Sequence, residues 1–577
     1  MTMPSAEVAF VALGRGDDGW AAVLMDGDGA EHHTQLLAAD ELAPWVTAVE
    51  AQHAPRWVWS DTAGTYRSLL PAGVRVARCR DLRLAHAILR SRPDLPADVL
   101  ARSEPGWEAP PTVIEPGRGD ALFTLDADAH TASLPQAIGA VQREFAWQRQ
   151  AVAATAAPGA LHLLIAAESA GALAAAEITE AGLPWDAGAH DQVLARILGP
   201  RPRGDTLPER MRRRADQVRA ALGDPAVSLD SPPKLLRALH RVGIHVQTTS
   251  RWELERHTHP AIAPLVEYKR MSRLLTANGW TWLDEWVTDG RFRPVFVPGG
   301  VVTGRWASSG GGALQIPRVL REAVRADPGW CLVIADVAQL EPRVLAAMAG
   351  DLSLAAAARG RDLYEGVVET GAVSRRDDAK TALLGAMYGA TTGESGRLVP
   401  RLRRSFPRSM ALVDEAARAG EEGGVVHTRW GRTSPPPGPH WRAVQDAAGR
   451  SDATAAEQER ARRSARDRGR FTRNFVVQGT AAEWALAWIA DLRGRLHALG
   501  EVEVGPPAPA SGPVFSRRPH LAFFLHDEII VHAPLSQAED VAEAVRAASV
   551  SATRLLFGDF PLDFPLDLRI AETAAKA

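Results

Sequence analysis

The sequence predicts a multidomain protein of mixed α/β and α+β class, on three observations. Short apolar runs alternate with helical patterns up to about residue 165. The stretch from there to about 285 is helical throughout, and the C-terminal half returns to apolar strands that end in acids. A chain of 577 residues is long enough for several cores. Its apolar and charged fractions are those of an ordinary globular protein. Two cysteines, Cys79 and Cys331, are too few for a disulfide framework or a zinc site, so a reducing compartment is expected. No signal-peptide pattern and no uninterrupted apolar run of bilayer-spanning length stand out, which predicts a soluble cytoplasmic protein with no membrane partner. A net charge of −3 argues against indiscriminate nucleic-acid binding. Local clusters matter more: Arg397, Arg401, Arg403, Arg404 and Arg408 form one basic run, and seven arginines from Arg460 to Arg473 form another. Each run suits either a solvated helix face or a phosphate-tracking surface.

The N-terminal strands are read from VAFVALG, WAAVLMDG, RWVWS and VRVARC, and a helix from LRLAHAILRS. Residues 103–120, rich in Pro and Gly, read as a surface loop. A metal-dependent nuclease needs carboxylates that converge, usually opening with two acids at alternate strand positions. The first strand carries none. Asp126 and Asp128 have that spacing, but it suits a turn or a helix cap equally well.

The helical middle starts with one long helix, LHLLIAAESAGALAAAEITEAGLPW, stopped by Gly-Leu-Pro. Helices follow around DAGAHDQVLARIL and MRRRADQVRAALG, and then SLDSPPKLLRALHRVGI, with Ser or Asp before the Pro pair as its cap. YKRMSRLLTANGWTWLDEWV leads back to the strands. A Gly- and Ser-rich loop then carries Thr303, Arg305 and Gln315, a composition that binds anions or base edges when it is not merely a connection.

Five further stretches carry the chemistry. LVIADVAQLEPRVLAAMAGD reads as a strand ending at Asp336, a turn, and a helix with Glu341 and Arg343 near its start. A carboxylate ending a buried strand calls for a charged partner, a divalent metal among the candidates, unless it is simply solvated. A helical stretch contains Asp362 and Tyr364. Arg376, Lys380, Leu384 and Tyr388 recur every four residues, so they share one helix face. Two cations followed by an apolar side chain and a ring suit a nucleoside triphosphate lying along that face. Residues 433–470 read as a polar loop or insertion leading into a basic helix, which places Arg470, Asn474 and Gln478 on one face before a small-residue patch, Gly479 to Ala482. Finally, LAFFLHDEIIVHAP reads as a β-hairpin with His526, Asp527 and Glu528 at its turn, where Asp527 answers Asp336.

In this order the motifs resemble family A DNA polymerases of the DNA polymerase I large-fragment type, from about residue 170 to the C-terminus. LVIADVAQLEPRV is similar to the family's D-Y-S-Q-I-E-L-R motif, RRDDAKTALLGAMYG to its R-x-x-x-K helix, and FFLHDEIIVH to its H-D-E hairpin. TGRWASS and RFTRNFVVQGTAA match a primer-contacting loop and a helix bearing Arg, Asn and Gln. The resemblance implies a right-hand polymerase: thumb 166–290, palm 291–370 and 485–577, and fingers with an inserted loop 371–484. An N-terminal ribonuclease H-like 3′–5′ exonuclease-type domain, degenerate and inactive, would span 1–165. It implies two Mg²⁺ ions, or Mn²⁺, on Asp336 and Asp527, with Glu528 and Lys380 completing the catalytic set. Arg376, Lys380, Leu384, Tyr388, Glu341, Gln339 and Tyr364 would meet the dNTP, with Glu341 crowding the sugar 2′ position. Thr303, Arg305, Gln315, Arg470, Asn474, Gln478 and His526 would contact primer–template DNA. A monomer in the cytoplasm, associated with the nucleoid and acting in repair or gap filling, is expected.

This chain departs from the pattern at Leu384, where the family has Phe or Tyr, and at Val337, Ala338 and Pro342, which replace Tyr, Ser and Leu. Pro342 is tolerable only in a first helical turn. Three other readings compete with this one. A non-catalytic DNA-binding descendant is disfavoured by the surviving acids and cations. A single-subunit RNA polymerase is disfavoured by the bulk of Glu341, and working proofreading by the missing N-terminal acids.

Overall fold

The computed structural model describes residues 8–108, 134–204, 206–309, 312, 316–389 and 393–575. Asp126, Asp128, Gln315 and the second half of the 103–120 loop lie outside the described residues. The chain divides into two units. One is Met1–Gly182 with Val295–Ser309 and Asp327–Ala571; the other is Leu183–Pro294 with Gly310–Ala326 and Glu572–Ala577.

The first unit opens with five strands, β1 (Phe10–Arg15), β2 (Trp20–Met25), β3 (Glu31–Leu37), β4 (Arg56–Trp59) and β5 (Arg78–Asp81), in the order β3-β2-β1-β4-β5. β1, β2 and β3 pair antiparallel, whereas β1, β4 and β5 run parallel. The apolar character of β1 is explained by burial on both faces. Val11 and Leu13 pack in a core with Trp57, Trp59 and Tyr66, and Ala12 in another with Val58 and Trp107. β3, EHHTQLL, was not anticipated, because an edge strand that is mostly exposed has no hydrophobic alternation to read.

Helix Pro158–Ala181 ends at Gly182 as the Gly-Leu-Pro signal predicted. It runs straight through the expected domain boundary at 165, and its residues Leu173, Ala176 and Ala181 belong to the Trp57 core. This helix is also long and apolar enough to cross a bilayer, a property not singled out from the sequence, but 67% of its most apolar window is buried in the protein. It is a core helix. At Gly171 an added Cβ would stand 2.6 Å from Leu486 Cδ2, so the small residue lets helix Ala455–Ala498 approach.

Five two-residue strands come next in sequence, β6 (Leu183–Pro184), β7 (Val287–Thr288), β8 (Arg291–Phe292), β9 (Phe296–Val297) and β10 (Ala307–Ser308). The second large sheet of this unit is antiparallel and comprises β11 (Trp330–Val337), β12 (His520–Leu525), β13 (Glu528–Pro534) and β14 (Leu566–Ala571), in the order β12-β13-β11-β14. β11 is central and apolar apart from its end. Helix Ala538–Phe557 packs on it, and the unit also holds helices Leu340–Ala349, Leu352–Ala358, Leu363–Glu369, Arg376–Tyr388, Gly393–Ser405 and Pro407–Glu421. The basic helix is a 44-residue rod, Ala455–Ala498, started by a capping box of Thr454 and Glu457. It continues without a break past 484/485, where a boundary is expected from the sequence. The 433–470 stretch is likewise not all loop: Pro439–Ala448 is a helix, tied to the rod by Trp441 Nε1 donating to Ser464 O at 3.3 Å and Gln445 Nε2 to Ala461 O at 3.1 Å. It has no buried residue, so no apolar stripe betrayed it.

The second unit is helical, with Ala187–Leu198, Glu209–Leu222, Pro232–Arg241, Ile262–Asn278 and Trp280–Trp286, and a small sheet of Leu183–Pro184, Val287–Thr288 and Arg291–Phe292. Ser231 precedes the Pro pair of helix Pro232–Arg241, but the expected side-chain cap bond is not made; the two prolines preset the first turn. Trp185, Trp282, Phe292 and His190 form its aromatic centre. His190 Nδ1 accepts from Trp185 Nε1 at 3.2 Å while Nε2 donates to Asn278 O at 3.0 Å, the bonding of a neutral imidazole.

Candidate active site

The site is built on the end of β11 and the β12–β13 turn. Asp336 lies in register with Glu528, and Val337 N donates to Asp527 O at 2.9 Å, which locks the turn to the strand end. The turn is the two residues His526 and Asp527, and His526 takes a left-handed φ of 55° that directs the chain back at once. Asp567 on β14 is in register with Asp336 on its other side but is exposed. Sequence reading missed it because no motif surrounds it.

Asp527 keeps a solvent-facing edge, yet its carboxyl is pushed up to about 6, by desolvation first and then by the charge of Asp336. The imidazole of His526 is pushed down to about 4, by burial and then by Arg305. Among the described residues no group of three or more His, Cys, Asp and Glu side chains forms a ready-made metal cage. What the turn offers is a pair of hard oxygen donors with mutually repelling charges, and this donor set fits a divalent cation of the magnesium class.

Helix Arg376–Tyr388 carries the predicted stripe: Arg376, Lys380 and Tyr388 are exposed and Leu384 is half-buried, while Ala379, Ala382, Leu383, Ala386 and Met387 form the opposite, buried face. Lys380 makes no hydrogen bond or ion pair among the described residues. Arg376 is already engaged. Its Nη2 donates to Asp362 Oδ2 at 2.8 Å, and its guanidinium sits 5.4 Å from the centre of the Tyr364 ring. Burial raises the Tyr364 phenol to about 12, so that ring is a neutral platform at physiological pH.

Glu341 stands in the first turn of helix Leu340–Ala349 and uses both carboxylate oxygens: Arg305 donates to one and the Tyr388 hydroxyl to the other. This joins the loop, the first motif and the stripe in a single cluster. Pro342 is the third residue of the helix, where no intrahelical N–H bond is lost. Gln339, at a left-handed φ of 51°, donates to Asp362 at 3.0 Å. Arg343, wholly buried, binds the carbonyls of Ala338, Ala358, Arg361 and Asp563, so it is a structural clamp.

The face of the long helix is also present. Thr303 Oγ1 donates to Gln478 Oε1 at 3.0 Å, Arg470 pairs with Asp467, and Asn474 is half-buried between them along the rod. Gly479 lets it close: an added Cβ would lie 2.4 Å from Thr428 Cγ2. The basic runs are partly consumed internally, since Arg473 binds Ala386 O at 2.9 Å and Asp414, and Arg403 also pairs with Asp414. A cavity of about 240 Å³ gathers Arg305, Gln339, Glu341, Pro342, Tyr364, Leu384, Tyr388, His526 and Asp527 on its walls. Residues from five separate motifs thus face one space.

The sequence profile of DNA polymerase family A matches residues 204–573, and the chain belongs to that family. The thermostable DNA polymerase I of Thermus filiformis is 28% identical over 360 residues, 56% of this chain and 37% of that protein. DNA polymerase I of Chloroflexus aurantiacus is 28% identical over 328 residues, 51% of this chain and 31% of that protein. The alignments therefore span only about a third of these relatives. Among solved structures, the POL domain of Pol1 from M. smegmatis, in complex with DNA primer–template and dNTP, superposes with a TM-score of 0.67 at 18% identity, covering 98% of this chain and 96% of that one. The fold is that of a family A polymerase domain.

Proposed function

We propose that the chain is a template-directed DNA polymerase that adds dNTPs to a primer 3′-hydroxyl. The observation that carries this reading is the shared cavity: Asp527 of the hairpin at one wall, Leu384 and Tyr388 from the end of the stripe at another, and Glu341 held between Arg305 and Tyr388. Asp336 and Asp527 would hold the divalent ions. When bound, such ions supply a lowered pKa at the primer hydroxyl and charge neutralisation at the phosphates. Lys380 and Arg376 bind the triphosphate, Leu384 and Tyr388 enclose sugar and base, and Glu341 fills the space a 2′-hydroxyl would need. Glu528 and His526 support the hairpin. Thr303, Arg305, Arg470, Asn474 and Gln478 orient primer and template through contacts that carry little sequence information.

On this reading the palm is the β11–β14 sheet, the fingers are the helices from Arg376, and the thumb is the helical second unit. The N-terminal sheet supports a ribonuclease H-like domain by its strand order and mixed pairing. Its central strand holds Val11 and Leu13 where a nuclease needs acids, both inside an aromatic core. Asp61 and Asp81, at the ends of β4 and β5, cap Gly64 and Leu84. A monomer in the cytoplasm, associated with the nucleoid, goes with this role.

Primer extension with dNTPs and Mg²⁺ tests the proposal. The protein should extend an annealed primer, and Asp527→Ala should abolish the activity while the melting temperature holds. Absent extension, or extension equal to wild type in the variant, would refute it.

A further inference from the structure

The cation that leads the stripe is held by an acid that the assigned chemistry does not use. Asp362 precedes helix Leu363–Glu369, and its Oδ1 accepts from Glu365 N at 3.0 Å as a helix cap. Its Oδ2 accepts from Gln339 Nε2 at 3.0 Å and from Arg376 Nη2 at 2.8 Å. Gln339 is fixed in turn, because its Oε1 accepts from Arg343 Nη2 at 3.3 Å and from Leu363 N at 3.4 Å. Asp362 is therefore anchored without Arg376. Arg376 is not anchored in the same way without Asp362: among the described residues its other contact is the face of the Tyr364 ring, and Glu365 and Asp377 act on it only through their charge. The pair is open to water on the arginine side, with 45% of that side chain exposed, so it exchanges readily.

We propose that Asp362 is a positioning residue that competes with polyphosphate for Arg376, and that it thereby sets dNTP affinity and recaptures the arginine when pyrophosphate leaves. This rests on the polymerase reading of the cavity. A triphosphate laid along the helix meets Lys380 directly, but it reaches Arg376 only by displacing a carboxylate that cannot follow. The anion that wins must offer more negative charge to the guanidinium than Asp362 does. A triphosphate does so, and a monophosphate does so poorly. The same competition runs in reverse after transfer, when the fixed carboxylate draws Arg376 back from the leaving pyrophosphate.

Asp362→Asn tests this, because Asn keeps the capping oxygen and removes the charge. The expected result is a dNTP KM lowered by about three- to tenfold, the size of a partly exposed charge pair, with no rise in kcat. Pyrophosphate should inhibit at a correspondingly lower concentration. In an Arg376→Ala background the substitution should change KM no further. Asp362→Ser, which caps without reaching Arg376, should act in the same direction and guards against a folding artefact in the Asn variant. Equilibrium dialysis of radiolabelled dATP, which needs no primer, should show the same tightening and separates this proposal from failure of the polymerase reading. Unchanged or weaker dATP binding in both variants, or a KM shift that persists with Arg376→Ala, would overturn it.

Discussion

Glu341 shows how one carboxylate joins three parts of a site. It is mostly buried, and its charge is met by Arg305 and the Tyr388 hydroxyl, so its removal has two consequences. It opens space in the cavity, which on the proposed reading lies beside the sugar, and it frees a ring and a guanidinium that other motifs contribute. Glu341→Ala should raise the ratio of ribonucleotide to deoxynucleotide incorporation by about tenfold or more, a size set by what one buried group can discriminate. Single-nucleotide extension with rCTP and dCTP measures it, and an unchanged ratio would remove Glu341 from sugar selection. Glu483, also buried, acts on stability. It accepts from the Thr428 hydroxyl and from Trp430 N, and burial holds its carboxyl up to about 7. The folded protein thus keeps a proton that the unfolded chain gives up near the usual Glu value. Stability from this group is full below about pH 4.5, falls as pH rises, and is lost above about 7. At about 1.4 kcal/mol per pKa unit the change is roughly 3 kcal/mol. Urea titrations at pH 5 and pH 8 should show a smaller pH-dependent loss in Glu483→Gln than in wild type; equal losses would exclude the group.

At the scale of elements, the long helix Ala455–Ala498 organises the larger unit, and glycines set how close its neighbours come. Where it crosses helix Pro407–Glu421, a Cβ added at Gly420 would fall 2.1 Å from Thr472 Oγ1 and 3.0 Å from Arg468 O. On the other side a Cβ added at Gly469 would fall 3.0 Å from Ala417 O and 2.7 Å from Glu421 Cγ. The pair allows backbones to meet, and a methyl group there has no room. Gly420→Ala should therefore cost about 1–3 kcal/mol in denaturant unfolding, despite the better helix propensity of Ala. A stabilised variant would show that the crossing is loose.

Across the whole molecule, the N-terminal sheet is joined to the long helix within one unit by buried charge. Arg493 donates to Glu177 at 2.6 and 2.8 Å and to Ala77 O at 2.6 Å, while Tyr66 OH donates to Glu177 at 2.7 Å. Packed against the body and filled with aromatic side chains, this sheet has no carboxylate on its central strand. A 3′-mismatched primer incubated with Mg²⁺ and no dNTPs should accordingly stay at full length. Shortening that survives repurification would contradict the reading of this part as an inert scaffold.

Short-range patterns by themselves determined much of this protein. The four-residue spacing of Arg376, Lys380, Leu384 and Tyr388 can give only one face of a helix, and apolar runs either side of His526 and Asp527 can give little but a hairpin. Such features depend on neighbours in sequence and can be read locally. Other elements were hidden because their stability comes from elsewhere: the edge strand β3, the exposed helix Pro439–Ala448, and the continuity of helices across boundaries drawn at 165 and 484. Tertiary structure alone decided which charges pair. Glu341 meets Arg305 and Tyr388, and Asp362 meets Arg376 and Gln339, across separations that no period in the sequence encodes. The reason is physical: a buried or half-buried charge takes the partner that folding brings within reach.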